Sequence, residues 1–258
     1  MLFERVLLTN DDGIDAPGLL VLERVAAVLA REVWVVAPSR DRSGVSHALS
    51  FHAEIALAGH GPRRFAVDGT PGDCVVMGVR HILRDTPPDL VLSGINRGSN
   101  IGRETVFSGT VGAAMTGLLL GVPSIALSQS FRHPDLVRWE TAEALASDTI
   151  AALAAPDVLA LWRDCACLNV NFPNCAPERA GLPTLAQQGP GLLGGFDMEA
   201  VQDAPHRFRL KPFRSVQVDQ AGSEAAVLAA HGIAVTPLRF ERTDEACFGR
   251  LLDVLPGV

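Results

Sequence analysis

The run Val6-Leu7-Leu8-Thr9, followed at once by Asn10-Asp11-Asp12-Gly13, constrains this chain more than any other segment. Consecutive large apolar residues suit a strand buried on both faces, as in a parallel sheet. The Asp pair then stands at the strand's carboxyl end, which is where ligands of open α/β sheets bind. Adjacent carboxylates repel unless a cation or a shared proton relieves them. The segment thus predicts a parallel α/β sheet with a charged site at its carboxyl edge.

The following residues alternate strand and helix. Arg5 to Thr9 reads as a first strand, and Leu19, Leu22, Val25, Ala26 and Leu29 share one helical face. Glu32 to Ala37 is a second strand closed by Pro38, and Phe65 to Val67 a third. Thr70-Pro71-Gly72-Asp73 has the chemistry of a helix start, with a hydroxyl cap, proline at the first position and a carboxylate in the first turn. That helix is expected to run to about Arg84, and Asp68 and Asp73 are read as caps. A strand from Asp89 to Ser93, a Gly-rich loop from Gly94 to Gly102 and a helix from Ser108 to Gly121 follow. A strand from Pro123 to Ser128 and a helix from Glu140 to Ala155 come next.

Residues 187 to 212 show no clear period, whereas Glu224 to His231 reads as a short helix and Ile233 to Leu238 as a strand. The fold class expected is α/β: a Rossmann-like three-layer sandwich with a mostly parallel sheet, plus a C-terminal extension. Residues 1–185 form the core in this reading. Residues 186–258 form an extension of the same domain that does not fold alone.

A length of 258 residues with 48% hydrophobic content supports a sizeable core. With 22 basic against 29 acidic residues, a general nucleic-acid or acidic-membrane surface is not expected. The five cysteines have no disulfide-framework spacing, so reduced thiols in a cytoplasmic protein are expected. Cys165-Ala166-Cys167 is read as part of a strand rather than a metal pair, for want of a partner pair with zinc-like spacing.

Three loops follow parallel strands and so face one sheet edge. They carry Asp11-Asp12, Arg40-Asp41-Arg42-Ser43-Gly44 and Gly94-Ile95-Asn96. Two carboxylates, a hydroxyl and an amide oxygen (Asp11, Asp12, Ser43 and Asn96) make an all-oxygen set. Hard cations prefer such sets, so Mg²⁺ or Mn²⁺ is expected. Ser108-Gly109-Thr110 opens a helix beside them, and free N–H groups there favour an anion. A dication next to an anion cradle suits metal-assisted hydrolysis of a phosphate ester. Each element alone has a plainer reading: a turn for Asp11-Asp12-Gly13 and Asn96, helix caps for Ser108 and Thr110, solvated charges for Arg40 and Arg42. Joint placement at one edge is what favours a site. His47 is either a general acid or a loop histidine bonded to backbone. No G-x-G-x-x-G turn follows the first strand, no phosphate-binding G-x₄-G-K-S/T loop occurs, and Asp11 and Asp12 are adjacent rather than spaced as Asp-x-Asp.

At these residues the chain resembles the SurE family of survival-protein nucleotidases. The resemblance rests on Leu7 to Ile14, Ala16-Pro17-Gly18, Val35 to Pro38, Arg42-Ser43-Gly44, Gly69-Thr70-Pro71 with Asp73-Cys74-Val75, and Pro88 to Val91. Ser93 to Asn100, Ser108 to Val111 and Leu168 to Asn171 complete it, so that it covers about the first two-thirds of the chain in order. It implies a divalent-metal phosphatase acting on nucleoside 5′- and 3′-monophosphates. Metal ligands fall at Asp11, Asp12, Ser43 and Asn96, and catalytic roles at Asp11, Asp12 and Asn96. Phosphate contacts fall at Ser108, Gly109 and Thr110, with Asn10 beside the metal and Gly44 completing the set. Similar proteins form dimers or tetramers, partly through C-terminal arms.

The chain departs from the family in having Phe107 where Tyr usually precedes Ser-Gly-Thr, and it has no Tyr at all. Residues 187 to 212 lack an expected Arg-Gly-x-Pro-Tyr-Tyr-Trp-like stretch, and Val218-Asp219 stands for Thr-Asp before the last helix. The alternative is a nucleotide- or phosphate-binding module that keeps the metal with little turnover.

Overall fold

A computed structural model describes residues 1–133, 135–202, 204–214 and 220–255. In chain order the elements begin with β1 (Phe3–Thr9), α1 (Pro17–Leu29), β2 (Ala30–Pro38), β3 (Leu57–Gly61), β4 (Arg64–Val67) and α2 (Pro71–Met77). They continue with β5 (Leu90–Arg97), α3 (Gly109–Leu119), β6 (Ser124–Gln129), α4 (Trp139–Leu153), α5 (Pro156–Trp162) and β7 (Cys167–Phe172). Last come β8 (Pro183–Leu185), β9 (Leu193–Ala200), β10 (Phe208–Arg214), α6 (Glu224–Ala229), β11 (Ile233–Leu238) and α7 (Glu245–Leu252). Among the described residues, nine strands form one sheet in the order β3-β4-β2-β1-β5-β6-β7-β11-β8, and β9 and β10 form a separate hairpin.

Strand β1 shows why the chain folds this way. Its side chains alternate between faces, so Val6 and Leu8 enter a core with Leu19, Leu22, Val25 and Ala26 of α1 and Ala142, Ala146 and Ile150 of α4. Leu7 points to the other face and packs with Val36, Cys74, Val75, Val91 and Ala113, a core that includes residues of α2 and α3. Burial on both faces is the reason the sequence reads as an uninterrupted apolar run. Each such leucine contributes about 1.5–3 kcal/mol of transfer free energy.

The strands β2-β1-β5-β6-β7 run parallel, as the alternating pattern predicts. The sheet as a whole is mixed, because β11 runs antiparallel to β7 and β3 antiparallel to β4. Strand β11 lies within residues 186–258, so that stretch adds a strand to the main sheet. Among the described residues, no single helix is long and apolar enough to cross a membrane.

Several local expectations are corrected. Helix α2 starts as expected, with a Thr70–Asp73 capping box, but ends at Met77 and continues as a wide turn over Gly78–Ile82. Asp73 is the cap: burial acts to raise its pKa, but hydrogen bonds from Ser50 and Thr70 win and hold it low. Asp68 is not a cap. It accepts from Arg42 at 2.9 Å and pairs with Arg40 at 3.5 Å, because the loop after β2 brings both guanidiniums to it.

Strand β5 does not stop at Ser93; after an irregularity between Ser93 and Asn96 it resumes pairing with β6 through Arg97. Cys167 opens β7, whereas Cys165 lies in the turn before it. Strands β3, β8, β9 and β10 and helices α5 and α7 are elements that local patterning did not reveal. The Val218-Asp219 expectation lies outside the described residues.

Candidate functional site

The carboxyl ends of β1, β2 and β5 meet the start of α3. Asp11 is 4% exposed and accepts a hydrogen bond from the Thr110 hydroxyl at 2.5 Å. Gly109 permits this contact: a Cβ there would stand 2.8 Å from the Asp11 Cβ and 2.9 Å from its Oδ2. Ser108 caps α3, its hydroxyl accepting the Val111 N–H at 3.1 Å. The helix start is thus pressed directly against the first carboxylate.

Asp12 is half-buried, and its Oδ2 accepts the backbone N–H of Arg97 at 3.1 Å, which ties β1 to the end of β5. The Asp11 carbonyl accepts the Arg42 N–H at 2.7 Å, which brings in the loop after β2. In that loop Ser43 is exposed and donates its N–H to Asp41 Oδ1 at 2.7 Å, and Gly44 follows in the left-handed region. Asn96 donates its Nδ2 to the Gly98 carbonyl at 2.8 Å, which orients the amide and leaves its Oδ1 as an acceptor. Asn10 is spent on the turn itself, with Nδ2 on the Gly13 carbonyl at 2.8 Å and Oδ1 on the Gly13 N–H at 3.3 Å. It braces the Asp pair.

Burial pushes the Asp11 carboxyl up from 3.8 to about 6, with the Thr110 hydroxyl opposing the rise and the neighbouring Asp12 charge adding to it. Burial also raises Asp12, where the Arg97 N–H opposes and Asp41 adds. Two neighbouring carboxylates held above their ordinary range are an arrangement that a cation relieves. The donors are all oxygen, and among the described residues no cluster of three or more His, Cys, Asp or Glu side chains is arranged for a metal. A site with only two carboxylates fits a hard dication that keeps several waters.

A cavity of about 510 Å³ opens beside Asp12, lined among others by Pro17, Asp41, Arg97, Val137 and Trp139. His47 lies on the wall of a different cavity of about 570 Å³ with Thr105, Val111, Met115 and Arg242. Burial, reinforced by Arg242, lowers its pKa. Its Nδ1 is 3.4 Å from the Ser46 hydroxyl and its Nε2 has no partner, so neither ring nitrogen is bonded to backbone.

Trp139 and Arg97 were not legible as neighbours of the site. Nor was Phe196 of β9, which packs edge-on against Phe107 with centroids 5.5 Å apart. No local motif marks a contact between residues so distant in sequence.

Residues 6–191 match the family described as survival protein SurE. The 5′-nucleotidase SurE 1 of Burkholderia lata is 54% identical over 254 residues, covering 97% of this chain and 96% of that protein. The 5′-nucleotidase SurE of a Bradyrhizobium species is 44% identical over 261 residues, covering 97% and 99%. The crystal structure of SurE protein from Aquifex aeolicus superposes with a TM-score of 0.81 at 31% identity, covering 97% of this chain and 99% of that one.

Proposed function

The chain belongs to the survival protein SurE family, and on that premise we propose that it is a 5′-nucleotidase, hydrolysing nucleoside 5′-monophosphates, and 3′-monophosphates as well, to nucleoside and inorganic phosphate. One observation carries this: a buried carboxylate, Asp11, sits against the N-terminal turn of α3 with a second carboxylate beside it. This supports a reading in which a cation is held beside the anion-binding N–H groups of the helix start.

Asp11, Asp12, Ser43 and Asn96 hold one divalent cation, Mn²⁺ or Mg²⁺. Bound there, it supplies Lewis acidity at a phosphoryl oxygen and acidifies a water. The N–H groups at the start of α3, with Ser108, Gly109 and Thr110, hold the phosphate. Gly44 and Asn10 border the same edge, Asn10 by fixing the turn. Asp11 is occupied by Thr110 and buried, and Asp12 accepts the Arg97 N–H, so water rather than a carboxylate is the nucleophile in this proposal. The cavity beside Asp12 has room for the nucleoside.

In this proposal the Rossmann-like three-layer core of residues 1–185 carries the chemistry. Residues 186–258 supply contacts for a homodimer or homotetramer. The hairpin exposes Met198, Phe208, Leu210 and Phe213, and α7 exposes Phe248 and Leu251. Five free cysteines suit a reducing compartment, here the cytoplasm.

The test is phosphate release from 5′-AMP and 3′-AMP by chelator-stripped protein, with Mn²⁺, Mg²⁺ or no addition. Release that depends on added metal is expected. Folded, metal-loaded protein that releases none would instead be a nucleotide- or phosphate-binding module. Trapping a hydroxylamine-sensitive phospho-aspartate would exclude water as nucleophile.

A further inference from the structure

A buried polar cluster outside the Asp11–Asp12 edge grips the segment joining Asn96 to Ser108. At its centre Glu224, on the first turn of α6, is 1% exposed. Its Oε2 accepts the Gly102 N–H at 2.7 Å and its Oε1 accepts from Asn169 Nδ2 at 3.3 Å. Asn169 and Asn171 both donate to the Asn100 carbonyl, at 2.8 and 3.1 Å, and the Asn100 N–H returns to Asn171 Oδ1 at 2.8 Å. From the other side Gln188 Nε2 donates to the Gly102 carbonyl and to the Thr105 hydroxyl, both at 2.7 Å. Gly102 has a φ of +54° and lies so close to Gly191 that an added Cβ would stand 2.2 Å from the Gly191 nitrogen.

A buried carboxylate is a costly way to fill space, since an apolar residue of the same volume is often at least as stabilising. It is a good way to hold one N–H in one place, because a charge-assisted bond is short and directional. The segment held carries none of the candidate ligands itself. At one end is Asn96, a candidate cation ligand; at the other is Ser108, the start of the phosphate cradle.

We propose that Glu224 is a positioning residue: by holding the Gly102 N–H it sets the spacing between Asn96 and the Ser108–Thr110 helix start. The proposal rests on the nucleotidase assignment, in which those two groups act on one phosphate. It makes the C-terminal stretch part of the active-site scaffold, quite apart from any role in assembly.

The test compares wild type, Glu224→Ala and Glu224→Gln in phosphate release from 5′-AMP across a Mn²⁺ titration. Amide hydrogen exchange of residues 98–107 and thermal melts accompany it. A misplacement of about 1 Å between reacting groups costs on the order of 100-fold. Glu224→Ala is therefore expected to lower kcat by about 10- to 100-fold per folded molecule. The half-saturating Mn²⁺ concentration rises and exchange at residues 98–107 quickens. Partial unfolding would lower kcat without moving that Mn²⁺ concentration. Glu224→Gln keeps an acceptor for Gly102 and is expected to recover most of the activity.

Full kcat with an unmoved Mn²⁺ requirement in folded Glu224→Ala overturns the proposal, as does a Glu224→Gln variant no better than Glu224→Ala. If Glu224→Ala does not fold, Gln188→Ala removes two bonds to the same segment from an exposed side chain. It is expected to show the same changes at a smaller size, and unchanged kinetics there also overturn the proposal. A wild type that releases no phosphate refutes the nucleotidase assignment itself. The exchange arm still decides the latch: unchanged protection of residues 98–107 in Glu224→Ala refutes it.

Discussion

Replacing Asp11 by Asn should remove activity and raise stability together. A carboxyl whose pKa is higher in the folded chain than in the unfolded one weakens folding wherever it is ionised in both states. For Asp11 the values are about 6 folded and 3.8 ordinarily, the difference arising first from burial. The penalty is full above about pH 6, shrinks as pH falls toward 3.8, and is gone below it. At 1.36 kcal/mol per tenfold change in the proton equilibrium, the full penalty is about 3 kcal/mol. Asn keeps an oxygen for the Thr110 hydroxyl, so the hydrogen bond at this position survives.

In a chain of 258 residues, about 3 kcal/mol corresponds to a rise in melting temperature of roughly 5 °C. The assay is thermal and urea unfolding of chelator-treated wild type and Asp11→Asn at pH 7.5 and pH 4. Asn should melt higher at pH 7.5, and the gap should close at pH 4. Adding Mn²⁺ at pH 7.5 should raise the wild type and leave the variant behind, since a ligand stabilises only the fold that binds it. A variant no more stable than wild type at pH 7.5, or a gap independent of pH, would refute the burial argument.

Asp12→Asn should nearly abolish phosphate release without unfolding the domain, which a kinetic assay beside a circular dichroism spectrum checks. Thr110→Ala removes a hydroxyl whose one proton is held by Asp11 and is free to turn to a bound phosphate once a cation relieves that carboxylate, so the KM for 5′-AMP should rise by the equivalent of about 1.5–3 kcal/mol at most; an unchanged KM would place the phosphate elsewhere. Gly109→Ala drives a methyl to within 2.8 Å of Asp11, so it should cost about 1–3 kcal/mol of stability and most of kcat, read by urea melts and phosphate release.

Much of the fold was legible because its signals are local. Strands β1, β2, β5 and β6 carry stretches buried on both faces, and these read as short apolar runs. Thr70 and Ser108 announce helix starts by cap chemistry within three residues. The elements that escaped lack such signals or carry them faintly. In β10 the order Phe208-Arg209-Leu210-Lys211 does alternate, but every residue of that strand is exposed, and Pro205 before it and Pro212 within it obscure the period. The direction of β11 against β7 is a matter of pairing, which no residue type in β11 encodes.

The same division holds at the site. Residue order alone gave the expectation that Asp11-Asp12, Ser43, Asn96 and Ser108-Gly109-Thr110 gather at one sheet edge, because parallel strands point their carboxyl ends to the same side. Only the tertiary structure decided that Asp11 is buried against Gly109 and Thr110, that Asp68 pairs with Arg40 and Arg42, and that Glu224 closes on Gly102 from 122 residues away. Period, caps and turns depend on neighbours along the chain. Burial and partner choice depend on which distant surfaces the packed core brings together, and the shifted carboxyl chemistry of the site follows from that burial.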